Sequence, residues 1–170
     1  MSEEFKEFTI TATAPSKTFN LAGLQQSNLF ISNDKLRSAF LEALEITGID
    51  EPNVAGIVAS EAAYSHGEEW YNAMKEYVRA NMDYVIAYIN ENLPKLKVSD
   101  PEGTYLMWID FRGLGLAEKE LEDLIVNKAG LWLDAGAIFG KSGIGFERIN
   151  VACPRKILTE ALERIKAAIG

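Results

Sequence analysis

Two spacings of apolar residues alternate along the chain. Phe8 to Ala14 (FTITATA) is β-branched and apolar and is closed by Pro15, the pattern of a strand entering a loop. Asn20 to Gly23 is a further break, and Asn28 to Ser32 (NLFIS) reads as a second short strand. Asn33 predicts the N-cap of a helix through about Ile46, with Leu36, Phe40, Leu41 and Leu44 on one face and Gly48 beyond its end. The longest helical pattern runs from near Pro52 to about Leu93. Gly67 marks a bend or break within it, and Pro94 ends it. Between Ala55 and Tyr64 this pattern is apolar nearly all round, which predicts burial against another element. From Trp70 onward it is amphipathic.

After Pro94 the texture changes. Leu96 to Val98, a turn at Pro101-Glu102-Gly103, and Tyr105 to Phe111 (YLMWIDF) read as strands around a turn. Ala117 to Lys128 reads as a helix with Leu121, Leu124 and Ile125 inward. Leu131 to Leu133 and Phe146 to Ala152 read as further strands, and Pro154 precedes an amphipathic helix carrying Leu158, Leu162 and Ile165. Strands and helices in this order predict an α+β domain, an antiparallel sheet with helices on one face. The segment before Pro52 reads as part of something else.

Composition narrows the function classes. The 170 residues are 48% hydrophobic and 25% charged, in the range of a soluble globular domain. The net charge of -8 argues against a nucleic-acid partner, because phosphate binding needs a basic surface. No apolar stretch is long enough to span a bilayer, and MSEEFKEF lacks the layout of a signal peptide, so a cytoplasmic address is expected. One cysteine (Cys153) and one histidine (His66) supply neither a disulfide nor a Cys/His zinc site. His66 reads as an ordinary helix residue, Cys153 as a small buried hydrophobe, and Trp70 and Trp108 as core or interface aromatics.

Two segments carry chemistry. In PSKTFNLAG (Pro15 to Gly23), Lys17 follows a strand directly and sits in a loop with Ser16 before it. A lysine so placed acts as a nucleophile when its surroundings lower its pKa; otherwise it is a solvated lysine in a turn, the commoner case. In GFERINVACPR (Gly145 to Arg155), Arg148 lies on a predicted strand between Phe146 and Ile149. Its planar fork matches the two oxygens of a carboxylate. The alternative is an exposed arginine paired with a nearby acid such as Glu147.

SKTFNLAG (Ser16 to Gly23) resembles the cofactor-lysine segment of the fold-type-I pyridoxal-phosphate enzymes, the aminotransferase superfamily. RINVACPR (Arg148 to Arg155), GTYLMWIDFR (Gly103 to Arg112) and LDAGAIFG (Leu133 to Gly140) resemble its cystathionine β-lyase branch, often called MalY/PatB-like. The resemblance covers about Thr9 to Ile169 and implies the C-terminal portion of such an enzyme. By it, residues 1–51 are the tail end of the large cofactor-binding domain, 52–94 a long linking helical segment and 95–170 a small α+β domain with an antiparallel sheet. It also implies pyridoxal 5'-phosphate as cofactor, Lys17 as the residue that binds its aldehyde and moves a proton at the substrate Cα, and Ser16 as a cofactor contact. Arg148 is implied as the clamp on the substrate α-carboxylate, and Arg155 is read as structural.

Gln25 stands where many aminotransferases have a phosphate-binding arginine, and Ala14 where a phosphate-binding serine is common. Both departures point away from the ordinary aminotransferase branch. Gln25 with the Cys153-Pro154-Arg155 strand tilts the resemblance toward a C–S lyase that releases a thiol, pyruvate and ammonia from a small amino acid, with a homodimer as the implied assembly. An aminotransferase and a non-catalytic fragment or interaction module remain the alternatives. The family's other cofactor contacts, including the aspartate that pairs with the pyridine nitrogen, lie ahead of the lysine and are not found before Lys17. The chain by itself is therefore expected to be inactive and to hold little or no cofactor.

Overall fold

The computed structural model describes residues 3–49 and 51–170, which form two compact units, one up to Ala73 and one from Met74. In the first unit a short helix, α1 (Glu3–Lys6), precedes strands β1 (Ile10–Thr13) and β2 (Asn28–Ile31). The strands pair antiparallel, with Ile10 opposite Ile31 and Thr13 opposite Asn28. Helix α2 (Asp34–Thr47) begins where Asn33 caps it. The Asn33 side-chain oxygen accepts from the Lys35 and Leu36 amides at 2.8 and 3.1 Å. Gly48 ends it in a left-handed conformation, φ 67°.

The single helical pattern after Pro52 forms two helices, α3 (Val54–His66) and α4 (Glu68–Asn92). The break lies at Gly67, where a Cβ would fall 2.6 Å from Cε1 of Phe19 and 2.4 Å from the Ala63 carbonyl oxygen. Glycine there makes room for an aromatic ring. The expected burial of α3 is not met by this chain: Val54 is 74% exposed, Val58 60% and Tyr64 57%. The apolar face of α2 is likewise open at Leu41, and Ile31 is the one large aliphatic residue buried among the described residues of this unit.

The second unit holds the core. Its sheet runs β3 (Lys97–Val98), β4 (Leu106–Asp110), β6 (Phe146–Asn150) and β5 (Asp134–Ala135), in that spatial order and antiparallel throughout. The expected antiparallel sheet is therefore present. Strand alternation sends Met107, Ile109 and Ile149 inward and Trp108 and Arg148 to the opposite face. Against the inner face pack Val78, Met82, Val85 and Ile89 of α4 and Leu158, Leu162 and Ile165 of α6 (Arg155–Ile169). Each such side chain taken from water stabilises the fold by roughly 1.5–3 kcal/mol.

Two local readings are corrected here. The helix expected over Ala117 to Lys128 is α5 (Glu118–Asp123) followed by a widened π-turn over Leu124–Lys128, in which the Ala129 amide reaches back to the Leu124 carbonyl. The extra residue in that turn keeps both Leu124 and Ile125 buried. No strand forms over Leu131 to Leu133, because the Leu131 amide donates to Ile125 at 2.9 Å; pairing starts at Asp134 instead.

Asn81 of α4 is fully buried and ties three segments together. Its amide donates to the carbonyls of Val151 (2.7 Å) and Cys153 (2.9 Å), and its oxygen accepts from Arg155 Nε at 2.7 Å. The Arg155 guanidinium also lies 4.5 Å over the Tyr84 ring. Arg155 thus fastens the start of α6, the structural part expected of it. Asn81→Ala leaves these partners unmet, and urea denaturation of the chain should show a loss of about 2 kcal/mol.

Candidate active site

The Lys17 turn is built from the backbone outward. Pro15 is buried at the exit of β1, its carbonyl accepts from the Phe19 amide, and the Ser16 carbonyl accepts from the Leu21 amide, both at 2.9 Å. Asn20 closes the turn in a left-handed conformation, φ 55°. Phe19 anchors it. Its ring stacks on Trp70 (centroids 5.7 Å apart) and meets Tyr64 and Tyr71 at 6.2 and 6.3 Å, filling the space that Gly67 leaves open. Trp70 is therefore half-exposed and stacked rather than a core residue.

Lys17 itself is exposed, and its amine meets no acceptor among the described residues; Ser16 beside it is half-buried. The turn borders a cleft lined by Pro15, Thr18, Phe19, Tyr64 and Asn72. A free primary amine held on a fixed turn, with a hydroxyl next to it, fits the requirement of an aldehyde-bearing cofactor for a nucleophile. Gln25, at the position the resemblance makes an arginine, is exposed with φ 54°. His66 is exposed at the end of α3.

Arg148 lies in the second unit, on the outward face of the sheet, and is about one quarter exposed. It pairs with Asp134, directly opposite on β5, and not with Glu147, which the strand alternation turns into the core. One oxygen of Asp134, Oδ2, accepts from both Nε (3.1 Å) and Nη2 (2.8 Å). The guanidinium carbon rests 4.5 Å from the centre of the Phe139 ring. Nη1 meets no acceptor among the described residues. The end-on edge, formed by Nη1 and Nη2, is the second of the two edges by which a guanidinium can take a carboxylate in parallel hydrogen bonds.

Arg112, on the same face, contrasts with it. Its Nε and Nη2 take both oxygens of Asp110 at 2.9 and 2.7 Å, which holds the Asp110 carboxyl below the ordinary carboxylate range. Aromatic rings connect the two arginines. Arg112 lies over Phe146, Phe146 and Phe139 each meet Trp108 edge to face, and Phe139 underlies Arg148. The Phe139 loop folds back tightly, since a Cβ on Gly136 would lie 2.1 Å from the Gly143 carbonyl oxygen.

The curated cystathionine β-lyase PatB of Bacillus subtilis (strain 168) is 38% identical over all 170 residues. The PLP-containing crystal structure of cystalysin from Treponema denticola superposes on 98% of the chain, with a TM-score of 0.93 at 40% identity. The chain has the sequence and fold of the C-terminal part of a fold-type-I pyridoxal-phosphate enzyme. A PLP-bound crystal structure from Clostridium difficile 630, described as an aminotransferase, matches over 99% of the chain with a TM-score of 0.95 at 49% identity. No family model matches. Aminotransferases among the curated relatives are more distant, at 28% identity and below. The chain spans less than half the length of these relatives: 44% of PatB, 42% of cystalysin and 44% of the Clostridium difficile protein.

Sequence reading placed Lys17 and Ser16 in one turn and Arg148 on a strand, and the structure has them there, in different units. It missed Asp134 and Phe139, although both lie in LDAGAIFG, because their contact with Arg148 depends on a strand register that no single-segment pattern carries.

Proposed function

We propose that this chain is the C-terminal portion of a PLP-dependent C–S β-lyase acting on a small amino acid with sulfur at Cβ. Cystathionine and water would give homocysteine, pyruvate and ammonia. The observation that carries the reading is the 38% identity over all 170 residues to a cystathionine β-lyase, in a chain that carries SKTFN and RIN. Among the curated relatives, the greater distance of the aminotransferases favours lyase over transamination.

In this reading Lys17 holds the cofactor aldehyde and, once released, carries the proton taken from the substrate Cα. The Ser16 hydroxyl contacts the cofactor, and Arg148 grips the α-carboxylate and so fixes the direction of the Cα–H bond. When bound, the cofactor draws electron density from Cα. Residues 1–51 belong to the tail of the large domain, 52–94 link, and 95–170 form the small domain. The open apolar faces of α2 and α3 support packing against a remainder of the large domain. A cytoplasmic homodimer completes the proposal, and sedimentation of the full-length enzyme checks the assembly.

Arg148→Lys keeps the charge and loses the fork. In the full-length enzyme, kcat/KM for cystathionine should fall by about thirtyfold or more, with cofactor absorbance unchanged. An Arg148 serving only as the ion-pair partner of Asp134 touches no substrate, and turnover would barely change. Pyruvate and thiol released in equal amounts support the lyase; keto acid formed without thiol release supports an aminotransferase.

A further inference from the structure

We propose that Asp134 is a positioning residue that holds Arg148 by its inner edge so that the end-on edge meets the substrate carboxylate. This rests on the clamp reading above. A guanidinium has two edges able to take a carboxylate in parallel hydrogen bonds, one formed by Nε and a terminal nitrogen and one by both terminal nitrogens. Arg148 commits the first edge to a single oxygen of Asp134 and leaves Nη1 without a partner among the described residues.

The hold is built from three sides. The register Asp134↔Arg148 places the acid directly across the ladder, so the contact follows from backbone pairing. Phe139 closes one face of the guanidinium at 4.5 Å. The Gly136–Gly143 approach fixes the loop that carries Phe139. A long side chain at only about one quarter exposure thereby loses its rotational freedom before any ligand arrives. Were Asp134 a competitor standing in for the substrate, it would occupy the end-on edge; it occupies the other.

The test uses the full-length loaded enzyme with two competitive inhibitors, L-alanine, which carries the carboxylate, and ethylamine, which lacks it. Asp134→Ala, and Asp134→Ser whose hydroxyl is too short to span Nε and Nη2, should each weaken L-alanine binding by about tenfold or more and leave ethylamine unchanged. KM should rise while kcat at saturation stays within about twofold. Asp134→Asn, which keeps an acceptor oxygen at the same distance, should restore L-alanine binding to within about threefold.

Unchanged or tighter L-alanine binding in the Ala and Ser variants would overturn the proposal, tighter binding marking Asp134 as a competitor. Arg148→Lys separates the levels. If it abolishes the preference for L-alanine while the Asp134 variants keep it, only the positioning role falls. If Arg148→Lys also keeps the preference, the clamp reading itself falls.

Discussion

Replacing Lys17 by alanine in the full-length enzyme should abolish lyase turnover, with a loss of about a thousandfold or more. In the proposed role of Lys17, the substitution removes both the covalent hold on the cofactor and the group that carries the Cα proton, so neither function is left to compensate. It should leave the fold alone, because Lys17 makes no ion pair with a described residue and the turn is held by Pro15, Ser16 and Phe19 instead. A chemical readout stands beside the kinetics. Borohydride reduction of the loaded wild-type enzyme should place the cofactor mass on the peptide containing Lys17, and the variant should carry none. Near-normal turnover in the variant, or label on another lysine, would remove Lys17 from the role proposed.

The turn around Lys17 also illustrates what the chain pattern could and could not convey. Asn33 and Gly48 announced the ends of α2, since cap residues act through their own nearest backbone groups. Gly67 was legible as a break. Its cause was not, because Phe19 reaches it from nearly fifty positions away. The all-round apolar character of α3 predicted burial, yet Val54 and Val58 stand open, because a pattern states the need for a partner without supplying one. At Arg148 the fork was recognisable from sequence and its holder was not. The sequence offered the adjacent Glu147 as an ion-pair partner, but neighbours on a strand point to opposite faces. The inward placement of Glu147 has its own consequence.

Glu147 is 4% exposed, opposite Ile109 on one side and Ala135 on the other, and it accepts no hydrogen bond from a described residue. Burial, with smaller contributions from the negative charges of Asp134 and Glu122, lifts its carboxyl from an ordinary value near 4.5 to about 7. The effect on stability follows from which state holds the proton. Below about pH 4.5 folded and unfolded chains both hold it. From there to about pH 7 the unfolded chain has released its proton and the folded chain has not, so stability falls as pH rises. Above about pH 7 the folded carboxylate is charged in the core and the loss is complete, amounting to about 3 kcal/mol. Glu147→Gln removes the ionisation and keeps the shape. Urea denaturation of the chain between pH 5 and 9 should show wild-type stability declining through the neutral range, and the variant's curve flatter there. At pH 8 to 9 the variant should be the more stable by about 2–3 kcal/mol. The direction is specific to a buried acid without a donor: an ion-paired carboxylate would make the wild type the more stable protein at high pH. Parallel curves across the range would mean that the Glu147 carboxylate finds water or a cation in the folded state.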